Sequence, residues 1–400
     1  MPTGKWAPII EGGDSRPYAE AIEEVARAVE RVPTVATDWG PALLELYYGQ
    51  SAGREDLLGR SAARINSAIS ALTQLRKTGL YGGMAGVGWL TAHYDRRLEQ
   101  VAVPEAYEEL DRALLAFTNP RHPHFHYDLI SGVVGFGVYF LERQPSPVGR
   151  AGLELAVTTL LKSASRVGDT VTWHTHQSIL PESHREMAPA GYFNVGVAHG
   201  VPGVVALLGE AWRLGIQGNE VKALTLGAIR WVLNQRRGDG SFPSWVTEQE
   251  ASGKARVSWC YGGLGLSVSL LQAAEALGAE ELREDILAIA EHESRQPIGS
   301  GVIDAGLCHG FSGNAHLFNR LFQATGRECF LLAARRWLDA ALQFRRPGVG
   351  VGGYQSWQGR DRYWEDDATF LTGATGTALA FLAATTPEPP EWDSVLLCRC

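Results

Sequence analysis

The chain has 400 residues, 45% of them hydrophobic and 9% aromatic, which is enough for a full core, and a net charge of −8 that leaves no basic stripe for nucleic-acid phosphates. Five cysteines, of which only Cys260, Cys308 and Cys329 lie in the body of the chain, exclude a disulfide framework and point to a reducing, cytoplasmic setting. No apolar segment of the signal-peptide kind opens the sequence, and no apolar run approaches the ~20 residues of a membrane helix.

After an N-terminal tail of residues 1–17, the first helical period covers 18–32, where Ile22, Val25, Ala26 and Val29 recur at i, i+3, i+4 and i+7. A second stripe, Ala62, Ile65, Ile69 and Leu72, runs through 57–75. A G-x-x-G loop follows at Gly83 and recurs at Gly132, Gly200, Gly262, Gly310 and Gly373, with spacings of 49, 68, 62, 48 and 63 residues. These intervals are too long and uneven for a simple solenoid, but each has room for two helices. Helical segments fill them: 204–214 with 219–233, 267–277 with 280–290, and 315–324 with 329–344. Two stretches break the pattern. Residues 170–194, with Pro181 and Pro189, read as an irregular excursion or lid, and 237–248 as a turn-rich connection. Residues 386–400, carrying Cys398 and Cys400, read as a mobile C-terminal tail.

Glycine at each loop can take positive φ and lets a helix start close against its neighbours. The expected fold is therefore all-α and a single domain over 1–400. Six inner and six outer helices form a double ring, with the six loops gathered at one end.

Superimposing the loops puts Cys260 and Cys308 at one position and His199 and His309 at the next. Two thiolates and one imidazole suit Zn²⁺ and leave a fourth position open, as catalytic zinc sites require. Each residue also has a plainer reading. A lone cysteine is commonly core, His199 fits a hydrogen-bonded core histidine, Asp128 a cap for a helix starting near Leu129, and Arg256 a surface residue. His122, His124 and His126, like His174 and His176, read as solvated loop histidines rather than a second metal site. Trp357, Tyr363 and Trp364, with Glu365, Asp366 and Asp367, either line a cleft for a peptide or form a packed edge with an acidic turn.

The set Ala198-His199-Gly200, Trp259-Cys260-Tyr261-Gly262-Gly263 and Cys308-His309-Gly310 resembles the lanthionine synthetase C family, the LanC-type cyclases of lantibiotic biosynthesis. The resemblance covers essentially the whole chain and implies an α/α toroid. It implies one zinc ion held by Cys260, Cys308 and His309, with His199 as acid/base group, Asp128 as its companion, and Arg256, four residues before Cys260, as an active-site arginine. The implied reaction adds a peptide cysteine thiolate to dehydroalanine or dehydrobutyrine, closing lanthionine or methyllanthionine rings. The implied partners are a dehydrated precursor peptide, a separate dehydratase, and an export or modification complex.

Two other readings compete. One is a non-catalytic LanC-like protein that holds glutathione or a peptide thiol on zinc. The other is a six-hairpin glycosidase, which would pair Asp128 with Asp304 or Glu365 and leave Cys260, Cys308 and His309 without a task. A zinc prenyltransferase subunit shares the toroid, but its ligand set normally includes an aspartate.

Overall fold

The computed structural model describes residues 6–99, 105–119, 126–216, 218–359 and 361–399. In chain order its helices are α1 (Arg16–Val29), α2 (Gly40–Ala52), α3 (Glu55–Ser70), α4 (Met84–Arg97), α5 (Glu105–Phe117), α6 (Val133–Glu142), α7 (Pro147–Ser163), α8 (Glu182–Met187), α9 (Val201–Arg213), α10 (Asn219–Leu233), α11 (Gly263–Leu277), α12 (Glu280–Ser294), α13 (Phe311–Thr325), α14 (Glu328–Phe344) and α15 (Ala374–Thr385). None is long and apolar enough to cross a membrane.

The helices sort by where their apolar residues lie. In α1, Tyr18, Ile22, Val25 and Val29 are buried while Glu20, Glu24 and Arg27 stay exposed, so it packs by one face. In α15, Ala374 through Ala384 are all buried, the mark of a helix covered on every side. Inner α2, α4, α6, α9, α11 and α13 pack on outer α3, α5, α7, α10, α12 and α14 respectively, and α15 packs on α1.

The all-α toroid is therefore as the sequence indicates, but each ring has seven members among the described residues, not six. The overlooked inner helix is α2, which opens on Gly40-Pro41 without a G-x-x-G loop. Its glycine is still required: a Cβ on Gly40 would lie 2.6 Å from the Phe370 backbone nitrogen. The ring closes across α2, α4 and α6, where the Tyr47 hydroxyl sits 2.8 Å from His93 Nε2 and Glu142 Oε1 sits 2.9 Å from His93 Nδ1.

The loop glycines work differently from the expectation. The first glycine has positive φ only at Gly262 (90°), whereas Gly83, Gly132, Gly200, Gly310 and Gly373 are extended. Close approach is what excludes a side chain there. A Cβ on Gly83 would lie 2.6 Å from the Gly79 nitrogen.

Among the described residues, neither terminal segment is a loose tail. The Trp6 indole N–H donates to Ala383 O (2.8 Å), and the Ile9 and Ile10 amides donate to Ala384 O (2.8 and 3.0 Å). At the other end, Trp392, Val395, Leu396, Leu397 and Cys398 are all buried, and Cys400 lies outside the described residues. The Trp259 indole and the Tyr81 hydroxyl donate to Leu396 O and Val395 O, both at 2.9 Å. Asp393, fully buried, faces His316 Nε2 at 2.7 Å and accepts from Arg320 Nε at 2.6 Å. These contacts are tertiary and leave no periodic trace in so short a segment, so the sequence alone does not reveal them.

Burial opposes the Asp393 carboxylate, but Arg320 and then His316 outweigh it and hold its pKa at about 2. Its stabilisation is therefore fully present above the usual aspartate value of ~3.9 and is lost as pH falls toward about 2. Asp393→Ala leaves Arg320 without its carboxylate in a largely buried site, which should cost about 3–5 kcal/mol in urea unfolding at neutral pH.

The 170–194 excursion has structure of its own. Strand β1 (Ser165–Val167) pairs with β2 (Thr170–Thr172), and β3 (His174–Thr175), β4 (Tyr192–Asn194) and β5 (Trp245–Val246) form a small antiparallel sheet in that order. Tyr192 stacks on Trp245 with centroids 5.5 Å apart, so the strand leading into the His199 loop is anchored. A second hairpin pairs β6 (Ser356–Gln358) with β7 (Tyr363–Glu365), placing Trp357 opposite Trp364.

Candidate metal centre

The inner helices begin at one end of the ring, and backbone bonds tie their loops together there. Cys260 N–H donates to Cys308 O (3.2 Å), Cys308 N–H to Leu371 O (2.7 Å), and Leu129 N–H to Ala198 O (3.2 Å). This stitching brings the ligand atoms of Cys260, Cys308 and His309 within 4.8 Å of one another. Cys260 is buried, and the other two are partly so.

The donor set fits a soft cation. The Cys260 thiol is pushed well below its usual range by a hydrogen bond from Cys308, against burial and with help from His309. Cys308 is pushed well up because it donates to Cys260, and burial adds to the rise. Burial lowers the His309 pKa, but its bond to the Cys260 sulfur more than offsets this. Two thiols thus share negative charge beside an imidazole, and a bound ion would let both ionise.

A second pair stands alongside. His199 Nδ1 meets Asp128 Oδ2 at 2.6 Å. Asp128 is 1% exposed and His199's side chain 44%, so the carboxylate is hidden and the imidazole's far edge is open. Burial pulls the His199 pKa down, but the Asp128 bond and charge outweigh it, with the nearby Cys260 adding to the rise. Burial likewise raises Asp128, and His199 more than reverses that. Asp128 is not a helix cap. Its Oδ1 accepts from Ser131 N (2.9 Å) and Ser131 Oγ (3.1 Å) in a turn, and α6 starts only at Val133.

Arg256 is exposed, and among the described residues its guanidinium makes no hydrogen bond or ion pair, yet its charge reaches Cys308 and His309. Asp304 does not suit a glycosidase pair. It is 2% exposed, and its two oxygens accept from Gly306 N (3.3 Å) and Trp357 N (3.0 Å). Asp367 is also buried, accepting from Thr369 N and Thr372 Oγ1 at 2.7 Å each, while Glu365 and Asp366 are exposed. Trp357 and Trp364 pack with centroids 5.1 Å apart, and Trp364 leans on Phe344.

Two neighbours escape a sequence reading. Tyr261, at the loop position of His199 and His309, accepts from Asn194 Nδ2 at 3.2 Å, and burial pushes its hydroxyl pKa up. The same loop superposition that pairs the two histidines could have flagged it. His126 is not a solvated histidine, as its side chain is 15% exposed and lies against Asp128. His122 and His124 fall outside the described residues, and His174 and His176 are exposed.

The lanthionine synthetase C-like protein family matches residues 36–397. The chain belongs to that family. Among curated relatives, the LanC-like chain is 25% identical to the nisin biosynthesis protein NisC of Lactococcus lactis subsp. lactis, over 63% of its own length and 65% of that protein's. It is also 25% identical to the glutathione S-transferase LANCL1 of Danio rerio, over 78% of this chain and 75% of that one. A solved structure of nisin cyclase superposes on it with a TM-score of 0.75 at 18% identity, covering 96% of this chain and 97% of the other, which establishes the shared fold.

Proposed function

We propose that this LanC-like protein is a zinc-dependent lanthipeptide cyclase. The observation that carries the reading is the convergence of Cys260, Cys308 and His309 within 4.8 Å, beside the His199–Asp128 pair. Zn²⁺ held by those three residues would keep a peptide cysteine deprotonated near neutral pH, where a free thiol (pKa ~8.5) is mostly protonated. Addition of that sulfur to a dehydroalanine or dehydrobutyrine leaves an enolate that needs a proton at the α carbon. His199 has Nδ1 engaged by Asp128, so Nε2 is the nitrogen that delivers the proton. Arg256, whose charge bears on Cys308 and His309, would stabilise the enolate oxygen. A separate dehydratase prepares the peptide. The cytoplasm, where thiols stay reduced, is the compartment that suits this chemistry.

The Danio rerio relative is a glutathione S-transferase, which makes glutathione the thiol to try beside the peptide. A protein that merely holds a thiol has no use for a proton donor, and His199 favours the cyclase.

Ring closure is an internal addition, so the test is loss of alkylatable thiol in a dehydrated cysteine-containing peptide with no change in mass. A peptide that keeps its thiol beside zinc-loaded protein sinks the reading. The pH dependence has a definite sign. His199's raised pKa keeps it protonated above the ordinary histidine value of ~6.5, so turnover should fall as pH climbs through that raised value. Rates against pH at constant zinc content should show this alkaline limb, and His199→Asn should remove it.

A further inference from the structure

Three inner-helix loops share a turn. Six residues before the first loop glycine, the side chains of Asn194, Asp304 and Asp367 each accept the backbone N–H two residues on, at 2.9, 3.3 and 2.7 Å. In the Asp128 loop that place belongs to His126, whose Nδ1 accepts the Asp128 N–H at 3.2 Å. An imidazole stands in for a carboxylate or an amide.

The replacement has a consequence that the other three turns lack. An Nδ1 that accepts carries no proton, so the neutral ring carries it on Nε2. Nε2 lies 3.8 Å from Asp128 Oδ2, the same oxygen that His199 Nδ1 engages at 2.6 Å. The ring is held edge-on to Tyr127, with centroids 5.3 Å apart and planes at 65°. Burial keeps it neutral, with His199 adding to that effect and Asp128 opposing it. Other ionisable groups bearing on the Asp128–His199 pair are Cys260, Tyr127 and Tyr192. A tyrosine hydroxyl carries no charge near neutrality, so His126 is the further side-chain nitrogen facing Oδ2, while the Ser131 amide and hydroxyl donate to Oδ1.

We propose that His126 is a positioning residue for proton delivery, resting on the cyclase reading above. When the His199 Nε2–H bond breaks and the α carbon–H bond forms, His199 becomes neutral and keeps its Nδ1 proton. Asp128 then loses the cation that balanced it. The Nε2–H of His126, fixed in tautomer by the turn and carried on a nitrogen 3.8 Å from Oδ2, offsets that buried charge and keeps the carboxylate in place.

His126→Asn separates the two roles. Its amide oxygen can accept the Asp128 N–H, as Asn194 does for Gly196, but its nitrogen stops one atom short of the Nε2 position. We expect an unchanged melting temperature, zinc content and KM, with kcat lowered roughly tenfold. ¹⁵N NMR of the wild-type protein should show His126 protonated on Nε2, a readout that needs no turnover. An Asn variant with full kcat, or a ring protonated on Nδ1, would overturn the proposal while leaving the cyclase intact. Absence of turnover in the zinc-loaded wild type removes the cyclase reading and this one together.

Discussion

Cys308→Ala should yield a folded protein without its metal. Wild-type protein purified under reducing, chelator-free conditions should hold about one zinc per chain. The variant should hold next to none, because the remaining pair, Cys260 and His309, cannot enclose the ion. Ring-forming activity should fall below detection. The fold should survive, since Cys308 sits in a loop whose amide bond to Leu371 O does not need the side chain, and the packed helices lie outside that loop. Metal analysis beside circular dichroism checks both halves. A variant that retains zinc would mean the ion sits elsewhere, and zinc-free wild-type protein would remove the mechanism altogether.

His199→Asn should separate chemistry from metal binding. General acid catalysis by a placed side chain is worth roughly 10²–10⁴-fold, and kcat should fall by that order while zinc content stays at the wild-type level. His199 is not among the three clustered donors, so the ion should not depend on it. Asparagine can keep the contact with Asp128 Oδ2, which spares that buried carboxylate a lost partner and lets the fall in rate be read as loss of the proton donor. A variant that turns over at the wild-type rate would move the protonation step to another residue. Tyr261 and Arg256 would be the next to replace.

The site was more legible in the sequence than the ring that carries it. Cys260, Cys308, His199 and His309 could be aligned because the loops repeat, and repetition exposes which residues depart from the scaffold. The count of helices depended on the same motif, and it failed at α2, where Gly40-Pro41 makes an equally tight start with a different sequence. The apolar residues at 392–398 and at Trp6, Ile9 and Ile10 carry no period, and only packing against distant helices gives them a role. His126 was hidden for another reason. Among histidines in a proline-containing stretch it looks solvated, and its meaning appears only when its turn is set beside those of Asn194, Asp304 and Asp367.

The pairing of α1 with α15 has a cost during synthesis. The face of α1 carrying Tyr18, Ile22, Val25 and Val29 is made before every other helix among the described residues, and α15, which packs on it, is made after them all. At ~5–20 residues per second, that sticky surface waits on the order of tens of seconds for its partner. Nascent chains should therefore lean on chaperones until α15 emerges, and a stall late in translation should be more hazardous for aggregation than the stability of the finished ring suggests.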